Sequence, residues 1–199
     1  MARNWLTIQV ELVGGGAAGD LWPAPGRDMI AGPGHSFADL AAAIDGAFAR
    51  WDRAHLHTFD LADGRTLADQ AFLDEDPGDP PALAGRAHRL GDLLAAGDVF
   101  TYTFDLGDRW RHRCTVTAMD VDPVAVLGMT PTTPLPFFGW GILPDQYGRL
   151  WLGDDGESDP PPPPPHLAIA VRQADRIIAI AEHHATIVLP GLSPGDVED

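Results

Sequence analysis

The stretch 102-YTFDLGDRWRHRCTV-116 predicts a β-hairpin, and its register decides which side chains of the fold face inward. Strand-like residues run up to Leu106 and resume at Trp110, and Gly107 and Asp108 between them are typical turn residues. Because side chains alternate between the two faces of a strand, the length of the turn decides which of them reach the core. A turn of two residues and a turn of three residues are both compatible with the sequence.

The three-residue turn is the favoured register, because it makes several stabilising cross-strand pairs at once, each worth about 0.2–1 kcal/mol. The two-residue turn would instead place Arg111 and Arg113 on the aromatic face. The pairs of the favoured register are Leu106 with Trp110, Phe104 with His112, Tyr102 with Cys114, and Asp105 with Arg111. In this register His112 lies on the apolar face, where an imidazole is usually neutral and hydrogen-bonded, and Asp108 caps backbone N–H groups of its own turn.

The segments around the hairpin predict further strands and one long helix. Residues 5–13, WLTIQVELV, alternate as a strand with one buried face, and a short strand is expected near residues 29–30. Ser36 and Asp39 resemble a capping box that begins a helix. The apolar stripe of that helix recurs at spacings of three and four and contains Phe37, Leu40, Ile44, Phe48 and Trp51. HLHTFDL, residues 55–61, predicts a strand with His55 and His57 on one face, and residues 60–80 are typical of a solvated loop.

The C-terminal part of the chain predicts a different organisation from the rest. Residues 1–155 are expected to form one domain, followed by an acidic and proline-rich spacer over residues 156–165. The spacer ends in Pro160–Pro165, a run that favours a stiff polyproline II segment. A helix over residues 166–186 has an apolar stripe and is expected to pack back on the domain, and residues 187–199 are expected to form a flexible acidic tail.

The charge balance argues against nucleic acids and membrane surfaces as partners. Twenty-nine acidic residues against 13 basic ones give a formal net charge of −16, and such a field repels phosphate backbones and anionic lipids. No apolar run approaches the length that spans a membrane, and the N-terminus lacks a signal pattern, so a cytoplasmic protein is expected. The single cysteine, Cys114, excludes a disulfide within one chain and a cysteine-based zinc cluster.

Three segments together resemble a known family. They are SFADL at residues 36–40, HLHTF at residues 55–59 and GDVFTYTFDLGDRWRH at residues 97–112. The pattern spans about residues 4–120 and is similar to the plasmid-encoded Orf-three-like family of the Ri plasmid type, whose members carry the description of a TnpR-type transposon passenger protein. The resemblance implies an α/β fold of the α+β type, with a mixed, mostly antiparallel sheet and helices packed on it. It implies no established reaction or ligand.

The chain departs from this family in one later segment. Family members have a Pro-Glu-Asp-x-Gly-Gly segment, whose nearest match here is LPDQYGR at residues 143–149. Asp145 and Gln146 stand where the family has its acidic pair. If that pair joined the histidines in a metal site, this chain has lost part of the site.

The favoured hypothesis is a non-catalytic binding or accessory protein that needs no cofactor. Its cluster of polar and aromatic candidates is then structural, and consists of His55, His57, Asp105, Asp108, Trp110 and His112. An unknown protein partner could bind Pro160–Pro165 or the aromatic residues Phe137, Phe138 and Trp140. These three aromatic residues lie in a segment that is predicted to be irregular, and they are expected rather to cover one end of the core.

The alternative hypothesis is a metal-dependent hydrolase. His55 and His57 with Asp105 or Asp108 would make an open three-ligand site, and His112 could add a further nitrogen ligand. The favoured register argues against this site, because it places Asp105 and His112 on opposite faces of the hairpin.

Overall fold

A computed structural model describes residues 5–75, 81–151, 153–155 and 158–162. In that part of the chain the strands are β1 (Trp5–Gly15), β2 (Gly19–Asp20), β3 (Gly26–Ala31), β4 (His57–Asp60), β5 (Thr66–Ala68), β6 (Leu83–Ala84), β7 (Val99–Phe104), β8 (Trp110–Val121) and β9 (Leu135–Trp140). The α-helices of the same residues are α1 (Phe37–Ala47), α2 (Gln70–Glu75), α3 (Leu90–Leu93) and α4 (Pro123–Leu127), and a 3-10 turn (Gly16–Ala18) joins β1 to β2.

All of these strands belong to one sheet. Their order is β6-β5-β4-β7-β8-β1-β3-β9, and β2 pairs with the end of β1. Every pairing is antiparallel except that of β5 with β6, which is parallel. The predicted mixed, mostly antiparallel sheet with a few helices is therefore confirmed. In the described part of the chain, β9 is the outermost strand on its side of the sheet.

The core lies between one face of the sheet and α1. The side chains of β1 that were expected to face inward, Leu6, Ile8, Val10 and Leu12, are completely buried. They share one apolar cluster with Phe37, Leu40 and Ile44 of α1. Burying each large apolar side chain contributes about 1.5–3 kcal/mol relative to leaving it exposed, so this interface is the main source of stability.

The start of α1 is confirmed, and its predicted apolar stripe is too long. Ser36 Oγ accepts a 3.1 Å hydrogen bond from the Asp39 N–H, and Asp39 Oδ2 accepts a 2.8 Å hydrogen bond from the Ser36 N–H, which is a complete capping box. The helix ends at Ala47, and Ala49 has a positive φ of 57°. Trp51 therefore leaves the stripe and is 47% exposed.

The hairpin closes with a longer turn than either register predicted. Its strand pairs are Phe104 with Trp110, Tyr102 with His112 and Phe100 with Cys114. The turn therefore contains residues 105–109, and the pairing differs from the favoured prediction by two residues. Because side chains alternate with a period of two, this shift leaves the faces unchanged. His112 is completely buried, which confirms the inward orientation of its imidazole.

Asp105, and not Asp108, stabilises this turn. Asp105 leaves the strand with a positive φ of 57°, and its Oδ1 accepts hydrogen bonds of 3.0 and 3.2 Å from the N–H groups of Gly107 and Asp108. The prediction that Asp108 caps its own turn is wrong. The predicted pair of Asp105 with Arg111 is also wrong, since Arg111 forms a 2.7 Å ion pair with Asp20.

Two loop predictions also need correction. The stretch over residues 60–80 contains β5 and α2, because Leu67 and Ala68 are buried in the sheet. The segment around Phe138 is not irregular but forms β9, and Phe138 is 61% exposed at the edge of the sheet instead of covering the core. No helix in the described residues is both long and apolar enough to cross a bilayer.

The predicted domain boundaries are untested and stay predictions. The described residues up to 155 belong to one compact unit. The predicted helix over residues 166–186, the tail over residues 187–199 and the end of the proline run lie outside the described residues.

Candidate functional site

The structure divides the six candidate residues between the interior and the surface. Trp110 and His112 lie inside the domain, where they meet three residues outside the six candidates. We call this group the buried cluster; it consists of Asp45, Arg50, Tyr102, Trp110 and His112. His55, which is partly exposed, and Asp105, which is buried, belong to a second group. We call this group the His55 corner; it consists of Asp52, His55, Asp105 and Tyr147.

His112 is held as a neutral ring by its surroundings. Its Nδ1 lies 3.3 Å from the Tyr102 carbonyl oxygen, which can only accept, so Nδ1 carries the proton and donates. The ring packs edge to face on Phe48 with 4.7 Å between centroids. Burial, reinforced by the charge of Arg50, lowers the pKa of His112 to about 3. The imidazole of the hairpin motif therefore has no charge at neutral pH.

Trp110 is the largest of the buried side chains and carries a cation on its face. The Arg50 guanidinium carbon lies 3.9 Å from the centroid of the Trp110 ring, and both residues are 1% exposed. The indole also lies close to the backbone of Gly16, where any side chain would collide with the ring. Burial lowers the pKa of Arg50 to about 10, which still leaves the guanidinium protonated at neutral pH.

A buried carboxyl group completes the cluster. The Tyr102 hydroxyl donates a 2.8 Å hydrogen bond to Asp45 Oδ1. Burial raises the pKa of Asp45 to about 6, although this hydrogen bond and the charges of Arg53 and Arg50 act in the opposite direction. One feature of the sequence indicated that Asp45 lies inside: it follows buried positions of α1 at a spacing of four residues. No comparable signal marked Arg50.

The His55 corner is a surface network of hydrogen bonds. His55 Nε2 lies 2.8 Å from Tyr147 Oη, and the Tyr147 hydroxyl donates a 2.8 Å hydrogen bond to Asp52 Oδ2. On the other side of the ring, His55 Nδ1 lies 3.2 Å from Asp105 Oδ2. The hydrogen bond to Asp52 raises the pKa of Tyr147 to about 12, so the phenol stays protonated. These contacts tie the hairpin turn to the loop after α1.

The segment that departs from the family pattern supplies the Tyr147 side chain of the His55 corner. We call residues 143–150 the strap. Gln146 Oε1 accepts hydrogen bonds of 3.2 Å from the N–H groups of Trp51 and Asp52, and its Nε2 donates one of 3.0 Å to the Asp52 carbonyl. A glutamate could accept the first two hydrogen bonds but could not donate the third. Gln146 therefore suits a structural role that an ionised carboxylate would not fill.

Asp145 and Arg149 fasten the strap to Trp51. The Arg149 guanidinium carbon lies 3.6 Å from the centroid of the Trp51 ring, and the Trp51 indole N–H donates a 3.3 Å hydrogen bond to Asp145 Oδ2. Partial burial alone would raise the pKa of Asp145, but hydrogen bonds from the Arg149 side chain and from backbone N–H groups outweigh it and lower the pKa to about 2. Asp145 is therefore ionised and paired.

His57 and Asp108 do not join His55 in a ligand set. β4 begins at His57, so His55 lies outside the strand and the prediction that the two histidines share a strand face is wrong. His57 Nδ1 lies 3.6 Å from Asp69 Oδ2, and burial lowers the pKa of His57. Asp108 contributes its backbone carbonyl to the Gly16 N–H. Across the described residues, no three His, Cys, Asp or Glu side chains are grouped as a metal site requires.

An aromatic surface lies on β9. We call Phe137, Phe138 and Trp140 the aromatic strip. The rings of Phe138 and Trp140 lie 6.2 Å apart, and Trp140 is fixed by a 3.0 Å hydrogen bond from its Nε1 to the Ala24 carbonyl. Together with Arg27 these residues line an open groove of about 390 Å³.

Comparisons with known proteins identify a family but no activity. A family model described as "Plasmid pRiA4b ORF-3-like protein" matches residues 23–132, which overlap the span of the resemblance noted in the sequence. No curated protein matches the chain. Among solved structures, the chain is similar to the crystal structure of the protein of unknown function MM3350 from Methanosarcina mazei Go1, with 18% identity and a TM-score of 0.48. The match covers 67% of this chain and 62% of that one, so the chain spans less than two thirds of that protein.

Proposed function

The chain belongs to the plasmid pRiA4b ORF-3-like protein family, and from this premise we propose that it is a non-catalytic binding protein whose aromatic strip recognises an extended segment of a partner protein. The observation that carries the proposal is the exposure of Phe138, which is 61% accessible on the strand that lies outermost among the described residues. An accessory role in mobile elements and a cytoplasmic location stay predictions.

The surroundings of the candidate residues support a non-catalytic role. His112 is neutral and enclosed, Asp105 holds the hairpin turn, and Trp110 packs against Arg50. His55 bridges two loops through Tyr147 and Asp105. Each of these contacts stabilises the fold, and none of them requires a reaction or a metal ion.

The position of β9 supports binding of an extended segment. In the described residues β9 pairs with β3 alone, so the hydrogen-bonding groups along its outer edge have no strand partner. An extended peptide can add to such an edge, where main-chain hydrogen bonds supply affinity and alternate side chains supply specificity. Phe138 and Trp140 are two residues apart and present neighbouring rings to such a peptide.

The charge of the chain indicates what kind of segment would bind. The formal net charge is −16, which attracts basic sequences and repels acidic ones. The aromatic strip itself favours apolar side chains, because burying exposed aromatic surface is favourable. We therefore expect the ligand to be an extended apolar segment flanked by basic residues.

Peptide display on the immobilised full-length chain tests this proposal. Selection should enrich extended apolar peptides with basic flanks, and their affinity should fall at least about tenfold in Phe138→Ser, because exposed aromatic anchors dominate such interfaces. Trp22→Ser is the matched control, since Trp22 is 93% exposed and lies outside the aromatic strip. Failure to enrich any peptide, or peptides that bind Phe138→Ser as well as the wild type, would refute the proposed function.

A further inference from the structure

The buried cluster contains an unusual number of polar atoms without a partner. All three guanidinium nitrogens of Arg50, Nε1 of Trp110 and Nε2 of His112 are buried and have no hydrogen-bond partner among the described residues. A buried polar group without a hydrogen bond costs about 1–3 kcal/mol, and a charged group costs more. Five such atoms in one region indicate that the region is built to hold something.

The cation in this region is not neutralised by a contact. Arg50 is protonated at neutral pH and 1% exposed, yet none of its nitrogens donates to a carboxylate of the described residues. Asp45 and Asp145 act on it only through their charge, and Asp45 Oδ1 already accepts from Tyr102. A guanidinium presents five N–H donors in a planar fork that matches an oxyanion.

His112 adds a hydrogen-bond acceptor to the donors of Arg50. Because Nδ1 of His112 donates to the Tyr102 carbonyl, Nε2 of the neutral ring has a lone pair and can only accept. The cluster therefore offers donors from Arg50 and from the Trp110 indole, together with one acceptor from His112. An oxyanion that keeps one proton satisfies both: its unprotonated oxygens accept from the donors, and its hydroxyl donates to Nε2.

A cavity reaches the buried cluster at Trp110. A cavity of about 350 Å³ is lined by Trp110, by Ala17 and Ala18 after β1, and by strap residues that include Gln146 and Arg149. The strap is fastened by the three hydrogen bonds of Gln146 to residues 51 and 52, directly after Arg50. Arg50 and His112 are not among the residues that line this cavity, so access to them requires the strap to move.

We propose that Arg50, Trp110 and His112 form a binding site for inorganic phosphate in its protonated forms, which enters from the cavity under the strap. The aromatic strip takes no part in this site, so the site is independent of the peptide-binding surface. Arg50 supplies the charge, Trp110 supplies a donor of fixed direction, and His112 selects for the P–OH group.

Isothermal titration calorimetry on the full chain at constant ionic strength tests the site with inorganic phosphate. Phosphate should bind at neutral pH with saturation, and sulfate, which carries no proton there, should bind at least about tenfold more weakly because its oxygen faces the lone pair of Nε2. Trp110→Phe keeps a large ring and removes one donor, so phosphate binding should weaken by about 2- to 10-fold.

Arg50→Gln should abolish phosphate binding, and Arg65→Gln is its control, because Arg65 lies at the surface paired with Asp63. If Arg50→Gln does not fold, the phosphate affinity of Trp110→Phe and the comparison of phosphate with sulfate test the proposed site instead. Absence of saturable phosphate binding to the folded wild type, equal binding of sulfate and phosphate, or unchanged binding in Trp110→Phe would each overturn the proposal.

Discussion

Replacing Trp110 by alanine should lower the free energy of unfolding by about 3–5 kcal/mol, the range found when a buried aromatic side chain is truncated. Trp110 is 1% exposed, and its ring lies close to the backbone of Gly16 and carries the guanidinium of Arg50 on its face. The substitution leaves a cavity, and it also removes the ring face that the buried Arg50 guanidinium contacts. Chemical denaturation of the full chain, followed by circular dichroism, measures the change.

Trp22→Ala is the matched control for this experiment. Trp22 is 93% exposed, so its removal should change the free energy of unfolding by no more than about 0.5 kcal/mol. The two substitutions delete the same atoms, but Trp110 is buried and contacts Arg50, whereas Trp22 is exposed. Equal stability of Trp110→Ala and the wild type would mean that the hairpin motif does not build the core.

Replacing His112 by asparagine should make the protein less sensitive to acid. The folded state holds the pKa of His112 at about 3, against 6.5 for an unperturbed imidazole. Between these values the unfolded chain binds a proton that the folded chain does not, so His112 lowers stability by about 1.4 kcal/mol for each pH unit of acidification. Asparagine does not titrate, and its amide can still donate to the Tyr102 carbonyl.

The stability difference between His112→Asn and the wild type isolates this effect. Asparagine leaves a small cavity, so the variant is expected to be less stable than the wild type at neutral pH. This difference in stability should narrow by about 2 kcal/mol between about pH 6.5 and about pH 4.5. Asp45 acts in the opposite sense, since its pKa is raised from 3.8 to about 6 and its protonation favours the folded state in the same window. Because Asp45 is present in both proteins, it cancels in the comparison.

His88→Asn provides the control for this pH dependence. His88 is half-buried near α3, where its Nδ1 lies 2.9 Å from the Ala84 carbonyl. His88→Asn makes the same exchange of side chains at a site outside the buried cluster. If the difference in free energy of unfolding between His112→Asn and the wild type stays constant over this pH range, the buried imidazole takes up a proton as easily in the folded chain as in the unfolded one.

The inward orientation of His112 was predictable from the sequence, but its strand partner was not. Alternation has a period of two, so any register shifted by two residues gives the same face. The true register depends on Asp105 and Arg109, which have φ values of 57° and 52° and end the two strands early. Positive φ is uncommon in residues other than glycine, so sequence patterns gave no reason to place it there.

The limits of prediction for α1 have a similar cause. Its start follows from local chemistry, because Ser36 and Asp39 are close in sequence and cap each other. Its end does not, since Trp51 continues the apolar spacing although the chain turns away at Ala49. The spacing of apolar residues shows which positions can face the core, but it does not show where the backbone leaves the helical conformation.

The parts of the site that escaped the sequence depend on contacts between distant residues. Gln146 was recognised as a departure from the family pattern, but its partners lie 94 and 95 positions away, in the loop after α1. Arg50 follows α1 without any motif, and only the tertiary structure shows that its guanidinium is enclosed beside Trp110. Such contacts follow from the topology of the sheet and not from the spacing of residues.

The state of His112 tests the central claim, that the hairpin motif forms no catalytic or metal site, most directly. Nitrogen-15 NMR of the imidazole from about pH 8 to about pH 4, with and without added zinc, reports its protonation, its tautomer and any metal ligation. We predict a neutral ring protonated at Nδ1 throughout and no response to zinc. Protonation near pH 6.5, about the value of a free imidazole, or a zinc-dependent shift shared with His55 and His57 would contradict the account.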